Sequence, residues 1–364
     1  MLRPSISREE VFKEGEMLSK GYCRSILGLF VVLTVGLILH QCAPTNDDGP
    51  ENDGPTLNIE GEYNITLGPQ PIYTMNFTEN ENNQYEFYIA GKLVDVQGTG
   101  TLNGTTMTIT ADVPFLGPLT GTLTFSQDGR TFQGSFEISG AVPIQSTITG
   151  TTADYEIRIL DQDGIPLFVQ HNCIELAKIA QISRFRSGAG HDFSDDFENC
   201  RNMEHMFYAK DNVDIESIKL YSPVDGTIIG WTDEWEDQET YKGRTIGIQP
   251  DNDATFAFLI FNLNPDRDFS LGDKVSAGEK LGTSQKDEGT VSNIAVYVHV
   301  PGGHKLISFF EVMSNPLFQI YRNRGVRFRE DAIIDSDERD GAPLNCIGED
   351  FANSGTIENF VYLN

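Results

Sequence analysis

The chain has 364 residues, 54 of them Asp or Glu and 26 Lys or Arg, for a formal net charge of −28. That length suits two domains better than one, and 39% apolar residues with 23 Phe and 12 Tyr supply ordinary cores, which excludes wholesale disorder. The acidity argues against DNA or RNA as a partner, because phosphate binding needs a basic face.

Residues 26–39 (ILGLFVVLTVGLIL) form an uncharged apolar run behind Lys20 and Arg24. The run is short for a bilayer-spanning helix, which needs about 20 residues, and suits the core of a signal peptide. Cys42 follows closely, with Leu39 three positions before it, a layout that resembles a bacterial lipoprotein signal whose cleavage leaves a lipidated first cysteine. His40 and Gln41 stand where small residues are usual in such signals; an uncleaved anchor is the alternative reading, and Met17 an alternative start. The expectation is a leader over 1–41 and an exported chain in the cell envelope, held at a membrane through lipid on Cys42. Residues 42–55 are polar, acidic and broken by proline, which reads as a flexible tether.

From 56 to 154 short polar/apolar alternations are separated by turn signals, and 12 of the chain's 35 glycines fall among these Thr-rich runs. Asn103-Gly104 and Asp128-Gly129 are hairpin turns by composition. About eight strands without a helical period predict a small antiparallel barrel or sandwich. Gly61-Glu62-Tyr63 faintly resembles the opening triplet of lipocalin-like barrels, which would imply a ligand in the lumen; a spacer or adhesion module is the plainer reading. Asn64, Asn76 and Asn103 each begin an Asn-x-Thr sequon, as chance allows in so Asn- and Thr-rich a segment.

The second domain spans 166–364. It opens on CIELAKIAQIS, where Ile174, Leu176, Ile179 and Ile182 predict a short helix, and strands dominate thereafter, so that the whole chain reads as all-β with short helices. The stretch from Phe318 onward reads as irregular, and its basic cluster RNRGVRFRE most simply pairs with neighbouring carboxylates. Three cysteines remain in this domain, so at most one intramolecular pair forms. Cys200–Cys346 is the preferred one, since it fastens the tail near His191 outside the reducing cytoplasm, and Cys173 is left as a buried thiol.

Three segments carry a family resemblance. Gly190-His191-Asp192-Phe193-Ser194-Asp195 has the His-x-x-x-Asp spacing, SPVDGTIIG (222–230) the strand-turn-strand, and LGDKVSAGEKLGT (271–283) the "G-x-x-V-x-x-G-x-x-I-G" stretch of lysostaphin/LytM-type peptidoglycan endopeptidases, in the family's order. The resemblance implies a β-sheet peptidase domain in which zinc is held by the first His, the Asp and a second His, with two further histidines acting on water and oxyanion. Counting from Gly282, the family's His-x-His pair falls on Ile294-Ala295-Val296 and its middle-strand histidine on Asn262, so one ligand and both catalytic histidines are missing. Sliding the late strand by three places Tyr297 and His299 there instead, giving a His191–Asp195–His299 zinc triad with Tyr297 in place of the base, but it also turns the strand's apolar set to the other face. His205 reads as a structural histidine, and Asp196 and Glu198 as an unspecific acidic cluster.

The expected function is therefore an envelope lipoprotein whose peptidase-like domain lacks catalysis and needs no cofactor. It binds cell-wall peptides of peptidoglycan, or an envelope protein, in a groove around His191, Asp195, Asn262 and Tyr297. Two alternatives stay open: an active zinc endopeptidase, and a structural surface protein with a filled groove.

Overall fold

A strand that alternates polar and apolar residues has one face to hide, and the first domain hides eight such faces by closing them into a cylinder. The computed structural model describes residues 57–81, 83–90, 95–236, 239–285 and 290–364. The leader, Cys42 and the tether lie outside the described residues. Strands β1 (Gly61–Leu67), β2 (Gln70–Glu81), β3 (Gln84–Ala90), β4 (Val96–Asn103), β5 (Thr106–Val113), β6 (Gly117–Phe125), β7 (Thr131–Ile138) and β8 (Ile144–Thr151) each pair antiparallel with the next. β8 then returns to β1, with Asn64 opposite Thr151 and Leu67 opposite Ile148. The β4–β5 turn is Gly104-Thr105, with Asn103 still paired to Thr106 and Gly104 at φ +62°, one residue later than the composition suggested. That is the glycine-first turn whose twist matches the strands.

Rings fill the lumen. Tyr63, Phe77, Phe125 and Phe132 are mutually in contact, with centroids 5.1 to 6.1 Å apart. Each such pair contributes about 0.5–1.5 kcal/mol beyond area burial. Glycines make the room: Gly98 lies opposite Phe87 and Gly150 opposite Phe132, and a Cβ there would sit 2.4 and 2.1 Å from the facing ring. Tyr63, from the lipocalin-like triplet, donates its hydroxyl to the Gly129 carbonyl in the β6–β7 turn, so it braces this packed end and leaves that part of the lumen to side chains.

The second domain follows a linker containing α1 (Leu160–Asp163). Its sheet holds β9 (Ile179–Ser183), β10 (His205–Ala209), β11 (Lys219–Tyr221), β12 (Gly226–Trp235), β13 (Tyr241–Pro250), β14 (Phe256–Pro265), β15 (Lys274–Val275), β16 (Lys280–Ser284), β17 (Thr290–Val300) and β18 (Gly303–Ile307). The antiparallel order β9-β10-β17-β14-β13-β12 forms its spine. All of β17 is buried. Its Ile294, Val296 and Val298 face the larger core with Phe256, Phe258 and Ile260, which α2 (Phe309–Val312) and α3 (Asn315–Arg322) close with Phe309, Phe310, Leu317 and Tyr321. Its Ala295 and Tyr297 face a smaller cluster with Ala257, Leu259, Phe185 and Met203.

Two expectations are corrected. The segment predicted as a helix holds only one 3-10 turn, Leu176–Lys178, and then becomes β9, because its β-branched residues pair with β10 on one side and with β21 (Phe360–Tyr362) on the other. The tail is ordered rather than irregular: α3, α4 (Ser336–Gly341), the small hairpin of β19 (Cys346–Ile347) and β20 (Asp350–Phe351), and β21 all belong to it. Two of the four arginines in its basic cluster serve backbone carbonyls instead of carboxylates. Arg324 donates to Ile179 O at 2.8 Å, to Asn364 O at 3.1 Å and to Leu176 O, and Arg329 donates to Phe310 O. Carbonyls at the ends of short helical turns have no partner of their own, and a guanidinium supplies several donors at once.

The domains are joined by a ladder as well as by the linker. Beyond the part of β8 that β1 covers, β12 takes over, with Thr232 opposite Ser146 and Asp233 opposite Gln145. Ser146 Oγ donates to Trp231 O at 3.0 Å, and Trp231 N to Thr147 Oγ1 at 3.0 Å. The backbones meet so closely that a Cβ on Gly230 would lie 1.7 Å from Gly68 O.

The Cys200–Cys346 disulfide forms as expected, 146 residues apart in sequence, and Cys173 is a buried free thiol. Closing so long a loop stabilises the fold by about 2–5 kcal/mol. The Cys200→Ser/Cys346→Ser double variant should lose that amount in chemical denaturation; an unchanged midpoint would mean that the tail is held without the bridge.

Candidate functional site

The candidate residues converge from a loop and two strands. Ser187 to Gly190 form the approach, stitched down by Asn202: Ser187 N donates to Asn202 O at 3.1 Å, Asn202 N returns to Ser187 O at 2.9 Å, and Asn202 Nδ2 donates to Ala189 O at 2.7 Å. His191 then bridges Asp350 of β20, and Asp192 N donates to Glu349 O at 2.7 Å. The disulfide-tied hairpin is thus the near wall of the site. Phe193 stands in the middle, edge-on to His191 at 6.2 Å, to Phe261 at 5.7 Å and to Tyr297 at 6.3 Å.

Asp195 is buried, and its carboxylate is spent on the backbone. Oδ1 accepts from Phe197 N and Glu198 N, both at 2.8 Å, and Oδ2 accepts from Leu306 N of β18 at 2.9 Å. Burial raises its pKa above the ordinary range although the three amides pull the other way. Its neighbours are engaged too. Asp196 accepts from His304 N at 2.7 Å, and Glu198 takes a two-pronged bond from Arg186 at 2.7 Å and one from Arg201 at 2.8 Å. Burial works against the Glu198 charge, but the two guanidinium groups hold its pKa low.

The late strand decides which residues look into the site. Ile294 and Val296, where the first count put the missing histidines, point into the larger core, whereas Tyr297 lies on the Phe193 side. The strand's period of two thus puts Tyr297, and not Ile294 or Val296, on the side of the candidate residues. Burial raises the Tyr297 pKa, so its hydroxyl keeps its proton. Asn262 sits on a bulge of β14 with φ +56°, its carbonyl accepting from Gln285 N at 2.7 Å and its backbone against Gly243, so it is Phe261 beside it that reaches Phe193. Asparagine tolerates the left-handed region better than most residues.

The zinc triad of the shifted register does not assemble. His299 packs at the domain junction, its ring 4.8 Å from Tyr155 and 4.4 Å from His304. Among the described residues no three His, Cys, Asp or Glu side chains gather as metal ligands. With Asp195 committed to three amides and His299 stacked away from His191, the residues present do not fit the ion that the resemblance implies. His205 is structural, as read: its ring meets Ser183 O and Ser308 Oγ, both at 2.8 Å, and burial lowers its pKa to about 4.

Glu204 was missed. It is 1% exposed, accepts from Asn293 Nδ2 at 3.0 Å, and leaves Oε2 without a hydrogen-bond partner. Burial pushes its pKa up to about 7, with the charge of His191 opposing. The signal was a carboxylate between Met203 and the Met206-Phe207 pair, on a segment that is buried throughout, where an ionised side chain has no solvent.

No family model matches the chain, and neither does any curated protein. Among solved structures it is similar to a zinc-containing peptidase from Vibrio cholerae, at 11% identity over 65% of this chain and 85% of that one with a TM-score of 0.26. It is also similar to Helicobacter pylori Csd3, at 10% identity over 81% of this chain and 87% of that one, again with a TM-score of 0.26. Likenesses at that level carry no argument about this chain.

A carboxyl whose folded pKa lies above its unfolded value near 4.5 makes the folded state bind the extra proton between the two, so its contribution falls as pH rises from 4.5 to 7 and is flat beyond. His205, lowered from 6.5 to about 4, acts with the opposite sign over an overlapping window. The Glu204→Gln variant isolates the first term: relative to the parent chain it should gain about 3 kcal/mol of stability between pH 4.5 and pH 8. Parallel pH profiles for the two proteins would show that Glu204 ionises normally.

Proposed function

We propose that this chain is an exported cell-envelope protein whose second domain keeps the layout of a LytM-type peptidase without its hydrolytic chemistry, and binds a cell-wall peptide in the groove around His191, Phe193 and Tyr297. One observation carries the reading: Asp195, at the second ligand position of the resemblance, uses both carboxylate oxygens on the amides of Phe197, Glu198 and Leu306. Three of its roughly four lone pairs are thus taken by backbone amides, which leaves it a poor metal ligand, and no histidine occupies the positions that would take a proton from water. What remains is a half-buried imidazole packed beside the aromatic cluster of Phe193, Phe261 and Tyr297, whose phenol is neutral. Such a surface orients an extended peptide by packing and a few hydrogen bonds. Export is supported by the Cys200–Cys346 bridge, which persists outside reducing compartments. Attachment to a membrane through lipid on Cys42, and an envelope protein as the bound partner, belong to the same proposal.

A zinc endopeptidase is the rival. Glu204, poised near neutral pH beside His191, favours it, because a carboxyl with that pKa is what a general base needs. At 1% exposure, however, Glu204 is closed off from a dissolved substrate.

The test is metal content by mass spectrometry on the purified protein and on His191→Ala, each after dialysis against zinc, together with titration of a peptidoglycan stem pentapeptide. We expect well below one zinc per chain in both proteins and peptide binding that weakens about fivefold or more in His191→Ala, near 1 kcal/mol. Stoichiometric zinc that disappears with His191 would overturn the reading and favour the hydrolase.

A further inference from the structure

The barrel's outer wall and the second domain enclose a trough that the groove at His191 does not include. It consists of two connected depressions, of about 480 and 300 Å³, which share Thr66, Gln133, Thr149 and Tyr155. Both lie within the size range of small-ligand sites, about 300–1,000 Å³. The first runs over the outward faces of β1, β7 and β8. The second continues to His299 between walls that also present Ile229, Ala257 and Leu271.

Its chemistry is unusual for this molecule. In a chain of which 22% of residues are charged, no Asp, Glu, Lys or Arg lines either depression. Hydroxyls and amides line it instead, groups that both donate and accept. Tyr155 supplies a half-buried ring, with its hydroxyl 3.5 Å from Thr66 Oγ1 and its edge against His299. His299 is 6% exposed, and its buried Nδ1 has no hydrogen-bond partner. Burial lowers the His299 pKa while the backbone of Glu156 opposes, so the ring is neutral at pH 7 and adds no charge to this wall.

We propose that this trough binds a neutral oligosaccharide. Sugar hydroxyls match the Thr and Gln side chains in both donor and acceptor sense, and an apolar sugar face lies against Tyr155. A phosphorylated or acidic ligand finds no cation here. An extended peptide finds no strand edge: β1 is paired with β2 and β8, and β7 with β6 and β8, so their backbone groups are taken. The inference is independent of the peptide groove, since it uses neither His191 nor Asp195.

The experiment is isothermal titration of the purified protein with four neutral sugars, chitotetraose, cellotetraose, maltotetraose and mannotetraose, with tetragalacturonate and tetra-alanine as contrasts. Gln133 is exposed, and no side-chain hydrogen bond of it is found among the described residues, so Gln133→Ala should leave the melting temperature unchanged. We expect at least one neutral sugar to bind, with affinity falling roughly 2- to 10-fold in Gln133→Ala, the effect of one lost hydrogen bond. A larger fall is expected in Tyr155→Ala than in Tyr155→Phe, and no change in His191→Ala. Silence from all four sugars at about 10 mM, millimolar affinity being the weakest worth the name, overturns the proposal. So does equal binding of tetragalacturonate or tetra-alanine, or binding that survives both Gln133→Ala and Tyr155→Ala.

Discussion

Because all 11 residues of β17 are buried, neither of its faces can be traded for the other. The period of two then assigns every residue on it: Ile294, Val296 and Val298 to the core beneath the helices, Ala295 and Tyr297 to the side where Phe193 and His191 stand. Its partners inherit the division, Phe258 and Ile260 of β14 below, Ala257 and Leu259 above. β18 pairs with the same strand and presents the Leu306 amide that Asp195 accepts, so the position of the acidic loop is also set from β17. A site built against such a strand is stiff, and its composition is limited to what a close-packed core allows on its reverse.

Much of the fold was legible because strands advertise themselves. Alternation in the first domain and turn-forming glycines pointed to an antiparallel barrel or sandwich, and the pairing preferred because it would fasten the tail, Cys200–Cys346, is the one that forms. The site was legible only as a pattern of residue types. His191 and Asp195 stand at the spacing of a metal site, yet spacing does not say which atoms a carboxylate will meet, and here three amides reach it first. Which faces the residues of β17 take follows from the pairing of that strand and not from a count of residues after Gly282, since a shift by an odd number exchanges the faces. The helical reading of Leu176 to Ile182 failed for a related reason: the segment's periodicity was ambiguous, and open positions beside β10 and β21 settled it from outside.

Net charge gave an incomplete picture of the interior. With 54 acidic residues against 26 basic ones, the arginines might be expected to spend themselves on carboxylates, and Arg186, Arg201 and Arg244 do so. Others are internal fasteners. Arg339 is wholly buried and donates to Arg186 O at 2.8 Å and Ala342 O at 3.2 Å, and Arg184 donates to Ile333 O at 2.7 Å and Glu358 O at 3.2 Å. A tail with few long regular elements leaves carbonyls unpaired, and these cations collect them.

The closure of the barrel also fixes how tension travels through the molecule. β1 enters and β8 leaves at the same end, with Asn64 opposite Thr151, so a pull between the chain preceding β1 and the second domain opens that pair from its end, one bond after another, rather than shearing many bonds together. The other six strands lie outside the load path. The short ladder of β8 with β12, set at the far end of β8, is a second point of attachment to the second domain. The barrel is therefore a mechanical fuse in series with a more firmly knit second domain, whose own long loop is closed by a covalent bridge.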